Sequence, residues 1–142
     1  LICRGRYFDI KKNIFSREAY FIDNKTDSFL KEKDFQKLIF KGFTPPHQST
    51  FFNGKSRILE SKYNDNYSIA GDLEFFCKIS KYNKLSIANC PIDMIRISTG
   101  GVSDRKHFLR LKEVITCYLR YFKFNFFLPF IFRYINRLNQ IL

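Results

Sequence analysis

The sequence predicts an α/β fold, a mixed sheet with about three helices. Three observations carry that expectation. Short apolar runs of strand type stand at 1–3, 19–22 and 86–98. Three longer stretches, 28–41, 73–82 and 104–122, place apolar residues three or four apart, the spacing of one helix face. Clusters of Pro, Gly and Asn separate the two kinds of segment.

In order along the chain, Leu1-Ile2-Cys3 reads as the tail of a core strand. Lys11-Lys12-Asn13 is a polar break, and Ala19-Tyr20-Phe21-Ile22 is a second strand-like run. Asp27 or Ser28 can cap a helix that runs to Lys41, with Leu30, Phe35, Leu38 and Ile39 on its inner side. Gly42 suits the left-handed residue after that helix, and Thr44-Pro45-Pro46 forbids its continuation. His47 to Phe52 is β-prone and reads as extended. Asn53-Gly54 is a turn signal, and Lys55 to Leu59 fits either a return strand or a short helix. Residues 61–68 are polar and loop-like. Asp72 then falls at the N-cap of the helix 73–82, with Glu74 a solvated charge in its first turn. In the strand 86–98, Pro91 requires an edge or a bend. Thr99 to Ser103 is a glycine loop, and Ser103 or Asp104 can cap the helix 104–122. Its apolar positions 108, 111, 115, 119 and 122 form the clearest helical stripe in the chain.

The 142 residues suffice for one domain with a core, and 18 Phe with 8 Tyr make that core aromatic-rich. The net charge of +12 draws the chain toward polyanions. No nucleic-acid recognition signature accompanies the charge, so no nucleic-acid partner is expected. Four cysteines without a C-x-x-C pair, and only two histidines, argue against a zinc site; reduced, cytoplasmic usage is expected. The division expected is 1–117 as the folded portion and 118–142 as an aromatic and basic amphipathic tail. The tail fits either a packed terminal helix or a peripheral contact with a membrane surface. Its apolar run, 126–132, is too short to span a bilayer.

Four segments, taken together in this order, resemble the C-terminal half of bacterial family 2 glycosyltransferases of the inverting GT-A type. They are Pro46-His47-Gln48-Ser49-Thr50-Phe51-Phe52, Tyr63 to Tyr67, Ile69-Ala70-Gly71-Asp72-Leu73-Glu74-Phe75-Phe76, and Gly100-Gly101-Val102-Ser103. The resemblance implies the acceptor-side part of a GT-A Rossmann-like fold. It implies transfer of a sugar from a nucleotide-sugar donor to a glycan or lipid-linked acceptor in cell-surface polysaccharide synthesis. Asp72 would be the general base on the acceptor hydroxyl, since a sugar hydroxyl is a poor nucleophile until its proton is accepted. His47 and Gln48 would be acceptor- or donor-side hydrogen-bond groups, Gly100, Gly101 and Ser103 would close over the donor, and Arg105 would lie near its diphosphate. The family's D-x-D motif holds Mg²⁺ or Mn²⁺ against that diphosphate. No D-x-D occurs here, so the chain is expected to be a fragment without metal ligands, inactive alone, placed in the cytoplasm or at the inner face of the bacterial membrane. The competing expectation is a non-catalytic basic domain that binds anionic membranes or polyanions.

Overall fold

A computed structural model describes residues 1–22, 26–99 and 106–139. Four strands form one mixed sheet in the order β2-β1-β4-β3. They are β1 (Ile2–Asp9), β2 (Ile14–Ala19), β3 (Ser28–Lys31) and β4 (Ser86–Ser98). The four helices are α1 (Glu32–Phe40), α2 (Gly71–Ile79), α3 (His107–Phe122) and α4 (Phe127–Asn139). The α/β class is therefore present, and the described residues hold one helix more than expected.

β1 and β2 form an antiparallel hairpin. Its turn is the polar break: Asp9 Oδ1 accepts from the amides of Lys11 and Lys12 at 3.0 and 3.2 Å, and Asn13 takes the left-handed conformation, φ 54°. Residues 1–3 begin a strand rather than end one. Only Ala19 of the run 19–22 stays in the sheet; Phe21 leaves it and packs on Phe35, ring centroids 5.4 Å apart.

The strand β4 occupies the expected residues but lies inside the sheet, parallel to β1 and antiparallel to β3. Pro91 is tolerated there because the register slips. Ile2 faces Asn89 whereas Arg4 faces Asp93, so the segment holding Pro91 bulges out of the ladder.

The first helix starts three or four residues later than the Ser28 or Asp27 cap predicts. Ser28–Lys31 instead pairs with residues 86–89 of β4, and these ladder bonds outweigh the helical spacing of Leu30. The C-terminus is as expected. Gly42 has φ +80°, its amide donates to Ile39 O at 3.0 Å, and the Phe43 amide donates to Leu38 O at 3.0 Å. These two bonds are the Schellman pattern that satisfies the last carbonyls of a helix.

His47 to Phe52 is not an extended strand. His47–Ser49 is a 3₁₀ turn, held by the Ser49 amide to Pro46 O at 3.1 Å and by the Thr50 hydroxyl to the same carbonyl at 2.8 Å. The Ser49 hydroxyl donates to Cys3 O at 2.8 Å in a buried position, which fastens the turn to β1. Asn53-Gly54 does turn the chain, yet no return strand follows. Arg57–Glu60 is a second 3₁₀ turn, and the Ser56 hydroxyl accepts from the Ile58 amide at 3.3 Å.

The core joins α1, α2 and α3 to the start of the sheet. Phe35 and Ile39 of α1, Leu73, Phe76 and Ile79 of α2, and Val114 and Tyr118 of α3 are all buried. Each such side chain contributes roughly 1.5–3 kcal/mol by leaving water. On α3 the expected stripe is only partly inward: Phe122 packs against the core and Ile115 is half-buried. Phe108, Leu111 and Leu119 are exposed, whereas Glu113, Val114, Cys117 and Tyr118 face the core. The polar pattern misleads because the inner face carries a carboxylate, a thiol and a phenol. The helix runs unbroken past position 118, and the chain turns at Lys123, φ 50°.

Cys3, Cys77 and Cys117 are buried, Cys90 is half-buried, and all four are free thiols. A hydrogen bond with Cys77 and burial push the Cys117 thiol far above its usual range. Since the thiolate is the reactive form, an aromatic disulfide reagent should modify only Cys90 readily in the native protein and all four thiols in denaturant. Rapid native modification of Cys117 would contradict this packing.

Candidate functional site

Three separate pieces of chain meet at Asp72. The 3₁₀ turn supplies His47, the loop 61–70 supplies Tyr63, and the first turn of α2 supplies Asp72. Asp72 is the second residue of α2 rather than its N-cap; Ala70 holds the cap position and no side chain caps there. The carboxylate is therefore not engaged in a helix cap. Asp72 Oδ1 lies 3.6 Å from His47 Nδ1, an ion-pair contact when the imidazole is protonated, and the two side chains are 48 % and 38 % exposed. Burial raises the Asp72 carboxyl above its ordinary range, and the His47 charge opposes that rise.

An aromatic wall holds the pair in place. The Tyr63 ring stacks on Phe75 with centroids 4.7 Å apart and an interplanar angle of 10°. His47 meets the Tyr63 ring edge-on at 5.6 Å, and Phe52 meets Phe75 edge-on at 5.7 Å. Burial and the neighbouring Asp72 push the Tyr63 phenol up to about 12, so it remains a neutral donor at physiological pH. Gln48 is exposed, one residue beyond His47. Gly100, Gly101, Ser103 and Arg105, with the capping residues Ser103 and Asp104, lie outside the described residues.

The loop that presents Asp72 is held from across the core by a residue the sequence did not mark. Glu113 of α3 accepts three backbone amides: Ser68 at 3.0 Å, Ile69 at 2.8 Å and Ala70 at 2.7 Å. Burial acts to raise its carboxyl, but the three amides outweigh burial and hold it below the ordinary value. One signal was available: Glu113 is the sole acid between positions 105 and 142. Glu74 also departs from expectation. It is fully buried, not solvated. The Tyr121 hydroxyl donates to its Oε1 at 2.5 Å, and Lys78 Nζ lies 4.0 Å from its Oε2. Its position under α3 leaves it away from solvent and makes it a packing group.

A cleft of about 330 Å³ lies between the residues around Asn64–Tyr67 and α3, lined also by Lys112, Glu113 and Arg120. Neither Asp72 nor His47 lines it, so the carboxylate–imidazole pair sits on open surface. Among the described residues no three His, Cys, Asp or Glu side chains converge where they could hold a metal ion. The described residues therefore do not fit the Mg²⁺ or Mn²⁺ that the resemblance implies for a complete enzyme.

Comparisons of the chain with protein-family models, curated proteins and solved structures return no match.

Proposed function

We propose that this chain forms the acceptor side of an inverting glycosyltransferase, with Asp72 as general base on an acceptor hydroxyl. The observation that supports it most is the Asp72–His47 pair: an uncapped, half-exposed carboxylate whose pKa burial raises, 3.6 Å from an imidazole. A base with an elevated pKa holds an abstracted proton better, and the nearby imidazole steadies the charge. The exposed Tyr63 ring, backed by the buried Phe75, offers an aromatic surface against which a sugar ring can rest. The donor is a nucleotide sugar and the acceptor a glycan or a lipid-linked glycan. The nucleotide-binding half that the resemblance implies is not among these 142 residues, which would form the acceptor side alone. Cell-surface polysaccharide synthesis at the inner membrane face is the setting proposed.

The test is Asp72→Asn, introduced in the gene that encodes this chain. Nucleoside diphosphate release from a panel of nucleotide sugars is measured with membrane extracts as acceptor source. General-base loss should lower transfer about 10²–10⁴-fold. His47→Ala should lower it less and move the acid limb of the pH profile. Because burial raises the Asp72 carboxyl, its ionisation works against folding. That cost is absent below the ordinary carboxylate pKa and grows as pH rises through the elevated value. Asp72→Asn should thus keep or raise stability at neutral pH while transfer is lost. Undiminished transfer by a folded Asp72→Asn protein would defeat the assignment.

A further inference from the structure

The helix α4 carries an apolar stripe on the side that does not pack on the core. Phe127, Ile131, Ile135 and Leu138 recur at helical spacing and form one stripe, and their exposures of 47, 47, 47 and 62 % turn that stripe outward. Its inner side is mixed: Pro129 is fully buried and Phe130 packs on the core, beside two polar anchors. Arg133 donates to Thr44 Oγ1 at 2.5 Å, and Asn136 Nδ2 donates to Lys41 O at 2.8 Å. Just before α4, Phe124 is 93 % exposed. The outer side of α3 adds Phe108, exposed at 90 %. Exposed apolar surface of this extent marks a surface that is covered in use.

We propose that α4, with Phe124, lies in the plane of an anionic lipid bilayer and inserts its outward stripe among the acyl chains. Charge selects this occupant. Positions 106–139 carry seven Lys or Arg and a single acid, Glu113, which is engaged by three backbone amides. Lys106, Lys112, Arg120 and Lys123 are exposed. An anionic surface attracts a segment so charged. A second copy brings +12 against +12 and is repelled. Thirteen helical residues extend about 20 Å, short of the ~30 Å hydrocarbon layer, so the helix lies along the interface rather than across it. Among the described residues no helix is long and apolar enough to cross a membrane. The inference is independent of the role of Asp72.

The chain has no Trp, so Phe124→Trp gives a single emission reporter. The full chain is titrated with vesicles of phosphatidylcholine mixed with phosphatidylglycerol, and with pure phosphatidylcholine, at low and high salt. Expected are a blue shift and cosedimentation with the mixed vesicles, weakened by salt. Ile131→Ser/Ile135→Ser should weaken cosedimentation about tenfold while circular dichroism stays unchanged. Phe124→Ser, which lies outside both helices, should weaken it in the same direction. Absence of cosedimentation at low salt overturns the proposal. So does binding that both Ser variants leave intact, which is adsorption by charge alone. A dimer by light scattering that Ile131→Ser/Ile135→Ser dissociates, without vesicle binding, overturns it in favour of self-association.

Discussion

Glu113→Ala should lower the unfolding free energy by about 3 kcal/mol, measured by urea denaturation at neutral pH. The side chain supplies acceptors to three consecutive amides at 2.7–3.0 Å. A charged acceptor is worth ~1.5–3 kcal/mol per bond, and a buried amide left alone costs ~1–3 kcal/mol. The three effects do not add, since the loop can relax and water can reach the half-buried amides of Ser68 and Ile69. The sign with pH is definite. The carboxyl titrates below its ordinary value of 4.5 in the folded state. Its contribution is therefore complete above that value and disappears as pH falls through the lower, folded value. The gap between wild type and Glu113→Ala should be constant near neutrality and close in acid. Glu113→Gln should lie between the two, because one carboxylate oxygen becomes an NH₂ aimed at an amide donor. Equal urea midpoints for wild type and Glu113→Ala at neutral pH would show that the loop is held otherwise. A destabilised loop also misplaces the first turn of α2, so the transfer proposed above should fall with Asp72 intact.

Gly42→Ala should cost about 3 kcal/mol and release α4 from α1. Two penalties coincide. The residue has φ +80°, where an L side chain costs ~1–2 kcal/mol. A Cβ there would also lie 2.6 Å from the Arg133 Cα, and nearer still to its amide nitrogen. Because the obstacle is backbone, no rotamer change relieves it, and overpacking of this kind costs ~1–3 kcal/mol. Arg133→Ala separates the two contributions. It removes the bond to Thr44 Oγ1 yet leaves the close approach in place, so its loss should be smaller, about 1 kcal/mol. Limited proteolysis should cut Gly42→Ala within 120–126 faster than wild type. Unchanged stability and cleavage would show that α4 does not dock on Gly42.

Glycine 42 illustrates what a sequence can carry. Its place after a helical stripe and before Thr44-Pro45-Pro46 signals a helix end from local stereochemistry alone, and the Schellman bonds realise it. The approach of Arg133, ninety-one residues away, leaves no trace in that local pattern. The strand β4 was legible in full, because its residues favour extended backbone and Pro91 announces the bulge. The start of α1 was not. Ser28–Lys31 satisfies a helical pattern as well as a strand, and the decision belongs to its partner residues 86–89.

For the candidate site, Asp72 and His47 were each visible as polar residues in apolar surroundings. Their separation of 3.6 Å was not, because it depends on a 3₁₀ turn that the Ser49 hydroxyl ties to Cys3 O. Glu74 and Glu113 are both buried, against what their polarity suggests. Helical periodicity records which residues share a face, but the choice of the face that turns inward depends on what the opposite surface offers. Across α3 the available partners are three amide donors at 68–70 and the Glu74 carboxylate. They select Glu113 and Tyr121 for the inside and leave Phe108, Leu111 and Leu119 outside. The sequence by itself determined the α/β class, the residues of β4, the end of α1 and the excess of positive charge, because each rests on local backbone preference or on composition. The tertiary structure alone decided the faces of α3 and α4, the burial of Glu74 and the meeting of His47 with Asp72, because hydrogen-bond partners distant in the chain set the energy of each.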